Sequence, residues 1–273
     1  MSPFTPPFTI PPISTHTHTL IFLHDRGGSG QDFGLDTLSA TDSSGKWLQT
    51  LQPSTKFIFP TATHQCVTSL GGPRMSQWFD NFSTLDPSER EALQFRGLRE
   101  GSLHLHDIVD EEPVPLENIF IGGFGQGSAM ALYGLVTFRS ERREGRLGGF
   151  VGLRGWLPLR GSLDGLVGCL ASKNGEGKGA FDLDTQVSTL LRNQIGLPPV
   201  TAPAPKYAQI PMLFAHGKED GDVPLEVVKQ AVDSLKGLGL NVTLKTYEGL
   251  NHTWRSGDEI DDIAAFLTAH GAT

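Results

Sequence analysis

The sequence predicts an α/β fold, a mainly parallel sheet with helices on both faces. Three observations carry this. Short apolar runs alternate with longer helical patterns along the chain. Several runs are almost continuously apolar, as strands covered on both faces must be. One of them, NIFIGG, runs into a glycine-rich corner, GGFGQG, and out into the helix-like stretch SAMALYGLV.

The N-terminal residues 1–18 carry five prolines and read as an extended segment along the domain surface. They lack the basic start and unbroken apolar core of a secretory signal. Residues 19–273 then form a single domain, with strands expected at 19–24, 56–60, 118–123, 148–154, 211–216 and 242–247. Asp86-Pro87-Ser88-Glu89 offers a cap, a first-turn proline and a carboxylate, and predicts a helix start. Ser256 with Glu259 repeats the capping pattern before the last helix, and Gly271 marks its stop. His104 and His106, two apart in a helical pattern, face different directions and are expected in solvent. Residues 161–205 interrupt the alternation with SKNGEGKG and LPPVTAPAP around a short helical stretch, DTQVSTLLRNQIG. Such an insert is either a surface excursion or a lid over a site.

Bulk properties narrow the function. The chain has 273 residues, 38% of them apolar, which suits one large domain with a substantial core. A net charge of −8 with scattered Lys and Arg argues against a nucleic-acid partner. Two cysteines give neither a disulfide framework nor a zinc spacing, so no metal is expected and the compartment reads as reducing and cytoplasmic. No run approaches the roughly 18 apolar residues of a membrane helix.

A strand–corner–helix of the form G-x-S-x-G presents a nucleophile at the top of a sheet. Here the form is Gly123-Phe124-Gly125-Gln126-Gly127, and its apex is Gly125, which has no side chain to present. Ser128 lies inside the following helix, where its hydroxyl would bond back to the helix or pack on the sheet. HGKEDGDVPL and YEGLNHTW each follow a buried strand, and loops after strands share the ligand-binding edge of such a sheet. Asp220 and His252 can therefore meet above Gly125, in the chain order nucleophile position, Asp, His.

Taken together, LIFLHDRGGSG, SQWFDNF, IFIGGFGQGSAMALY, GWLPLR, HGKEDGDVPL and TYEGLNHTW resemble the acyl-protein thioesterase and carboxylesterase/phospholipase family of α/β-hydrolases, particularly its fungal members. The resemblance implies an α/β-hydrolase fold and an ancestral taste for carboxylic esters or thioesters. It also implies that His252 and Asp220 are the triad's histidine and aspartate, and that Gly125 stands at the nucleophile's position. The oxyanion-hole amides fall on Arg26 and Gln126, and Trp78, Phe79 and Trp156 fall on the substrate cleft. Arg154 ends a strand beside the elbow, where the family usually has a small hydroxyl residue. It would fill the freed volume, anchor an anionic substrate group or pair with a local carboxylate. A second departure so close to Gly125 favours natural divergence over a deliberately disabled serine.

Without an Oγ no acyl-enzyme forms at Gly125. The leading expectation is a cofactor-independent enzyme of small-molecule metabolism. His252 and Asp220 would act as general acid/base on a small carbonyl or ester compound, by elimination, isomerisation, cyclisation or water-mediated hydrolysis. The alternatives are an esterase or thioesterase met as an inactive Ser-to-Gly variant, and a pseudoenzyme that binds an acylated ligand or protein. Expected partners are a small ester, thioester or other carbonyl compound, with homodimerisation left open.

Overall fold

The computed structural model describes residues 3–172, 183–254 and 257–272. Nine strands and eight helices occur among them, in the order β1 (Phe8–Ile10), β2 (His18–Leu23), α1 (Gly30–Ser39), α2 (Leu48–Leu51), β3 (Thr55–Phe59), β4 (His64–Cys66) and β5 (Arg74–Ser76). They continue with α3 (Gln94–Glu111), β6 (Ile119–Phe124), α4 (Gln126–Thr137), β7 (Gly149–Leu153), α5 (Arg160–Ser172), α6 (Leu183–Gln194), β8 (Met212–Gly217), α7 (Leu225–Gly237), β9 (Val242–Tyr247) and α8 (Asp258–Ala269). Seven strands form one sheet in the order β1-β3-β2-β6-β7-β8-β9, all parallel except β1.

The apolar strands divide their side chains between two cores. Leu20 and Phe22 of β2, with Phe120 of β6, pack with Phe33 of α1 and Ile260, Ile263 and Leu267 of α8. Ile21 and Leu23, with Ile121, pack on the opposite face with Leu98 and Leu105 of α3 and Met130 and Tyr133 of α4. This period-two division is why the central strands read as unbroken apolar runs.

Four expectations change. The N-terminal segment does not only lie on the surface: Phe8–Ile10 pair antiparallel with Phe57–Phe59 and add the sheet's edge strand. The expected helix start at Pro87 is a turn, because Arg90 adopts a left-handed φ of 51° and α3 begins only at Gln94. His106 is buried on Gly134 O at 2.9 Å and His104 stacks on Phe4 at 4.0 Å, so neither is a solvent residue. Burial lowers both their pKa values to about 4. Finally, the insert carries the helix expected in DTQVSTLLRNQIG as α6 and a further, unexpected one, α5, while residues 195–205 are turn and loop. Tyr133 Oη donates to Leu191 O at 2.8 Å and Arg192 Nη1 to Thr137 O at 2.6 Å, which fastens α6 to α4. The cap expected at Ser256 lies outside the described residues; Gly271 ends α8 with φ 104°, as expected.

Candidate active site

The corner between β6 and α4 is a tight approach. Side chains at Gly123 or Gly127 would overlap the backbone of Leu23, and the chain there admits only glycine. Gly125 itself has φ 54° and ψ −121°, a combination costly for any residue with a Cβ. Its N–H donates to Leu153 O at 2.8 Å, which ties the corner to β7. The corner thus has the tight strand–turn–helix form expected from the sequence, with no side chain at its apex.

The loops after β8 and β9 meet over this corner. Asp220, in the loop after β8, is fixed by the N–H groups of Asp222 and Val223 on Oδ1, at 3.0 and 2.9 Å. Its Oδ2 lies 2.8 Å from Nδ1 of His252, which comes from the loop after β9. His252 packs edge-on against Phe124, with 5.0 Å between ring centroids. The sequence-predicted pair is therefore within hydrogen-bond distance, with Asp220 Oδ2 also 3.5 Å from Nε2 of buried His216.

The loop after β2 supplies a residue that sequence reasoning treated only as a spacer. Asp25 reaches over the corner, and a Cβ placed on Gly125 would overlap its Oδ1 and Cγ. Oδ1 accepts the Gln126 N–H at 2.6 Å, and Oδ2 lies 3.2 Å from His252 Nε2. The Asp25 backbone is held by His24, whose Nδ1–H donates to Asp25 O at 2.5 Å while Nε2 accepts the Ala62 N–H at 3.0 Å. That arrangement uses a neutral imidazole, and burial lowers the His24 pKa accordingly. The one available signal was an acidic side chain in a loop expected to offer only backbone amides.

His252 faces carboxylates on both ring nitrogens, an arrangement that favours the imidazolium, which donates from both. Burial, the largest single influence, would lower its pKa. The hydrogen bonds to Asp220 and Asp25 and their charges outweigh burial and raise it to about 9. Burial acts to raise the Asp220 pKa, but the His252 bond and the Val223 N–H leave it below the usual carboxylate value. His216 contrasts: burial holds it at about 4, and its Nε2–H donates to Val223 O at 2.8 Å.

A pocket of about 250 Å³ opens at this point, walled by Asp25, Arg26, Gln126, Trp156, Asp222 and His252 among others. A larger cleft of about 610 Å³, between residues 140–146 and 201–206, lies at the opposite sheet edge and contains none of the predicted site residues. Of those residues, Arg26, Gln126, Trp156 and His252 reach the pocket wall. No described residue of the 161–205 insert does, so the lid reading has no support there. Trp78 and Phe79 are buried behind the wall rather than lining it. The Trp78 N–H donates to Gln126 Oε1 at 2.8 Å, and Phe79 O accepts from Gln126 Nε2 at 2.7 Å. The Gln126 amide expected in an oxyanion hole is taken by Asp25. The Arg26 side chain bonds Asn81 Oδ1.

Arg154 is not a substrate anchor. It is fully buried with φ 52°, its Nη1 and Nη2 engage Glu259, the latter at 3.0 Å, and Nη2 donates to Thr253 O at 2.8 Å. Of the three roles open to it, the structure selects pairing with a carboxylate. Ser128 is also buried, with its Oγ against Gly152 and Gly155, away from His252.

A mainly parallel sheet, a glycine corner leading into α4, and an Asp–His pair on the following loops define an α/β-hydrolase. The chain belongs to the Phospholipase/Carboxylesterase family, which matches residues 5–173. It is 29% identical to acyl-protein thioesterase 1 of Gibberella zeae over 271 residues, covering 96% of this chain and 94% of that one. It is 30% identical to acyl-protein thioesterase 1 of Yarrowia lipolytica, covering 98% and 97%. Among solved structures, Zea mays acyl-protein thioesterase 2 superposes with a TM-score of 0.70 at 26% identity, covering 97% of this chain and 98% of that one. No described helix is long and apolar enough to cross a membrane.

Proposed function

We propose that this protein is a serine-independent, cofactor-free enzyme acting on a small carbonyl or ester compound, with the His252–Asp220 pair moving protons. The observation that carries the reading is the 2.8 Å Asp220–His252 bond, kept intact beside a pocket whose nucleophile position is a glycine. A protein that only binds a ligand has no need of an imidazolium held between two carboxylates. The mutual fit of Gly125 and Asp25 also supports natural divergence, since a serine at 125 would overlap the Asp25 carboxylate. Turnover of small ketone and ester probes is expected to disappear in His252→Ala and Asp220→Asn with the fold retained by circular dichroism. Turnover unaffected by His252→Ala would sink the reading.

A second reading is favoured by the acyl-protein thioesterases that match almost the whole chain: ester or thioester hydrolysis lost through residue 125. The two readings separate on p-nitrophenyl acetate. Gly125→Ser alone is expected to gain little, because its Cβ meets the Asp25 carboxylate, which must first swing off the Gln126 N–H before a hydroxyl can reach His252. A strong gain from that single change would favour the second reading, and Asp25→Gly with Gly125→Ser is the variant expected to regain a serine hydrolase's geometry.

A further inference from the structure

Asp25 occupies the place of the missing serine in three respects. Its carboxylate fills the volume a side chain on Gly125 would need. Its Oδ2 lies 3.2 Å from His252 Nε2, the nitrogen to which a nucleophilic hydroxyl would donate, and accepts from it instead, while its Oδ1 accepts the N–H of Gln126 beside the corner. It is also accessible, with about a third of its side chain exposed on the pocket wall. The backbone behind it is rigid: Asp25 O accepts both the Gly28 N–H at 3.1 Å and the His24 ring.

A hydroxyl in this place must lose a proton to act. A carboxylate oxygen has the lone pairs to accept one. His252, bonded on both nitrogens to carboxylates, has a proton to give and no lone pair to receive one. Attack by Asp25 on an acyl carbon is unfavourable. It would lead to a tetrahedral intermediate from which the carboxylate is a better leaving group than an alkoxide, so attack on an ester reverses rather than proceeds. Proton transfer is the chemistry left to it.

We propose that Asp25 is the proton-accepting catalytic residue and His252 the proton donor, and that the site performs eliminations on small carbonyl compounds with a leaving group on the β-carbon. The inference rests on the serine-independent reading above. Asp25 Oδ2 takes the proton from the carbon next to the carbonyl. The C–H electron pair becomes the new C=C bond, the bond to the leaving group breaks with its pair on the departing atom, and His252 Nε2–H protonates that atom. The proton on Asp25 then returns to His252 across the hydrogen bond that joins them, so the pair resets with no net change and no co-reactant.

The charges around His252 are defined. Asp220 and Asp25 touch it, neutral His216 lies beyond Asp220, and Asp222 and Arg26 stand on the pocket wall. Arg154 holds the neighbouring Thr253 carbonyl from beneath. The test uses the full-length protein and a β-(p-nitrophenoxy) ketone, which releases p-nitrophenol on elimination. Wild type is expected to turn it over. Asp25→Asn and His252→Gln should each lower kcat by at least about 100-fold, the usual reach of positioned acid–base groups. The wild-type kcat should fall as pH rises past about 9, where His252 loses its proton. In Asp25→Asn, the His252 imidazole followed by NMR should titrate well below that value, which a residue merely filling space would not cause.

Elimination retained by Asp25→Asn, or a wild type no faster than buffer, overturns the proposal. The same proteins on p-nitrophenyl acetate distinguish the two levels of failure. Hydrolysis that needs His252 but survives Asp25→Asn overturns the role of Asp25 and leaves the serine-independent reading standing. Indifference to His252 on both probes overturns both.

Discussion

Two charged clusters sit back to back at the carboxyl edge of the sheet, and they are built to opposite ends. Arg154 and Glu259 are sealed, with no exposed side-chain surface on either partner. Asp25, His252 and Asp220 stand one layer above, and Asp25 and His252 reach the pocket. The clusters are joined: Arg154 bonds Thr253 O, directly after His252, and its guanidinium lies over the same Phe124 ring that His252 packs against. Similar charge types thus occur where water is excluded and where a pocket opens, and the proposed function assigns chemistry only to the second. The lower cluster acts on the upper through the position of the His252 loop.

The largest effect should come from breaking the sealed pair. Arg154→Ala removes the guanidinium that engages Glu259 in the buried pair, and such truncations cost about 3–5 kcal/mol. Urea denaturation should show that loss, and replacing both partners together, Arg154→Met with Glu259→Leu, should recover most of it. A single variant as stable as wild type would mean that the pair is not sealed in solution. A smaller effect is expected one layer up. Gly125→Ala brings a Cβ into the space of Asp25 and a φ of 54° that L-residues avoid. The cost should be about 1–3 kcal/mol. The distinguishing readout is His252, whose pKa should fall as Asp25 is displaced; an unchanged titration would place Asp25 elsewhere.

The same comparison explains what was legible in the sequence. All six strands of the parallel sheet, the glycine corner and the meeting of Asp220 with His252 follow from apolar runs and chain order, because burial and parallel connections impose them. β1 was hidden, since three residues between prolines carry no period to detect. Arg154 and Glu259 are 105 residues apart, and nothing in either segment announces the other. Glu259 reads locally as a capping carboxylate, yet its side chain turns inward to the guanidinium. Asp25 was overlooked for a related reason. A backbone role was expected of its loop, and only the absence of a Cβ on Gly125, across 100 residues of chain, gives its carboxylate somewhere to go.

The smallest effect is the sharpest test of which histidine belongs to which environment. Unfolded, His252 and His216 both titrate near 6.5. Folded His252 is raised to about 9, so between these values the native state keeps a proton that the unfolded chain has released. Its contribution to stability is full below about 6.5 and is lost as pH climbs through about 9. His216, like His104 and His106, is lowered to about 4, and there the unfolded chain binds protons that the native state refuses. That contribution is full above about 6.5 and fades as pH falls toward 4. Stability should therefore decline on both sides of neutrality for different reasons. His252→Gln should be less stable than wild type near pH 6.5, and the difference should narrow as pH is raised from there to about 9 and change little beyond, measured by thermal melts of the two proteins side by side. On the acid side His104 and His106 contribute alike in both proteins, whereas Asp220 and His216, which both feel the His252 charge, do not. A stability difference that stays flat between about 6.5 and about 9 would mean that His252 is not held as an imidazolium between Asp25 and Asp220.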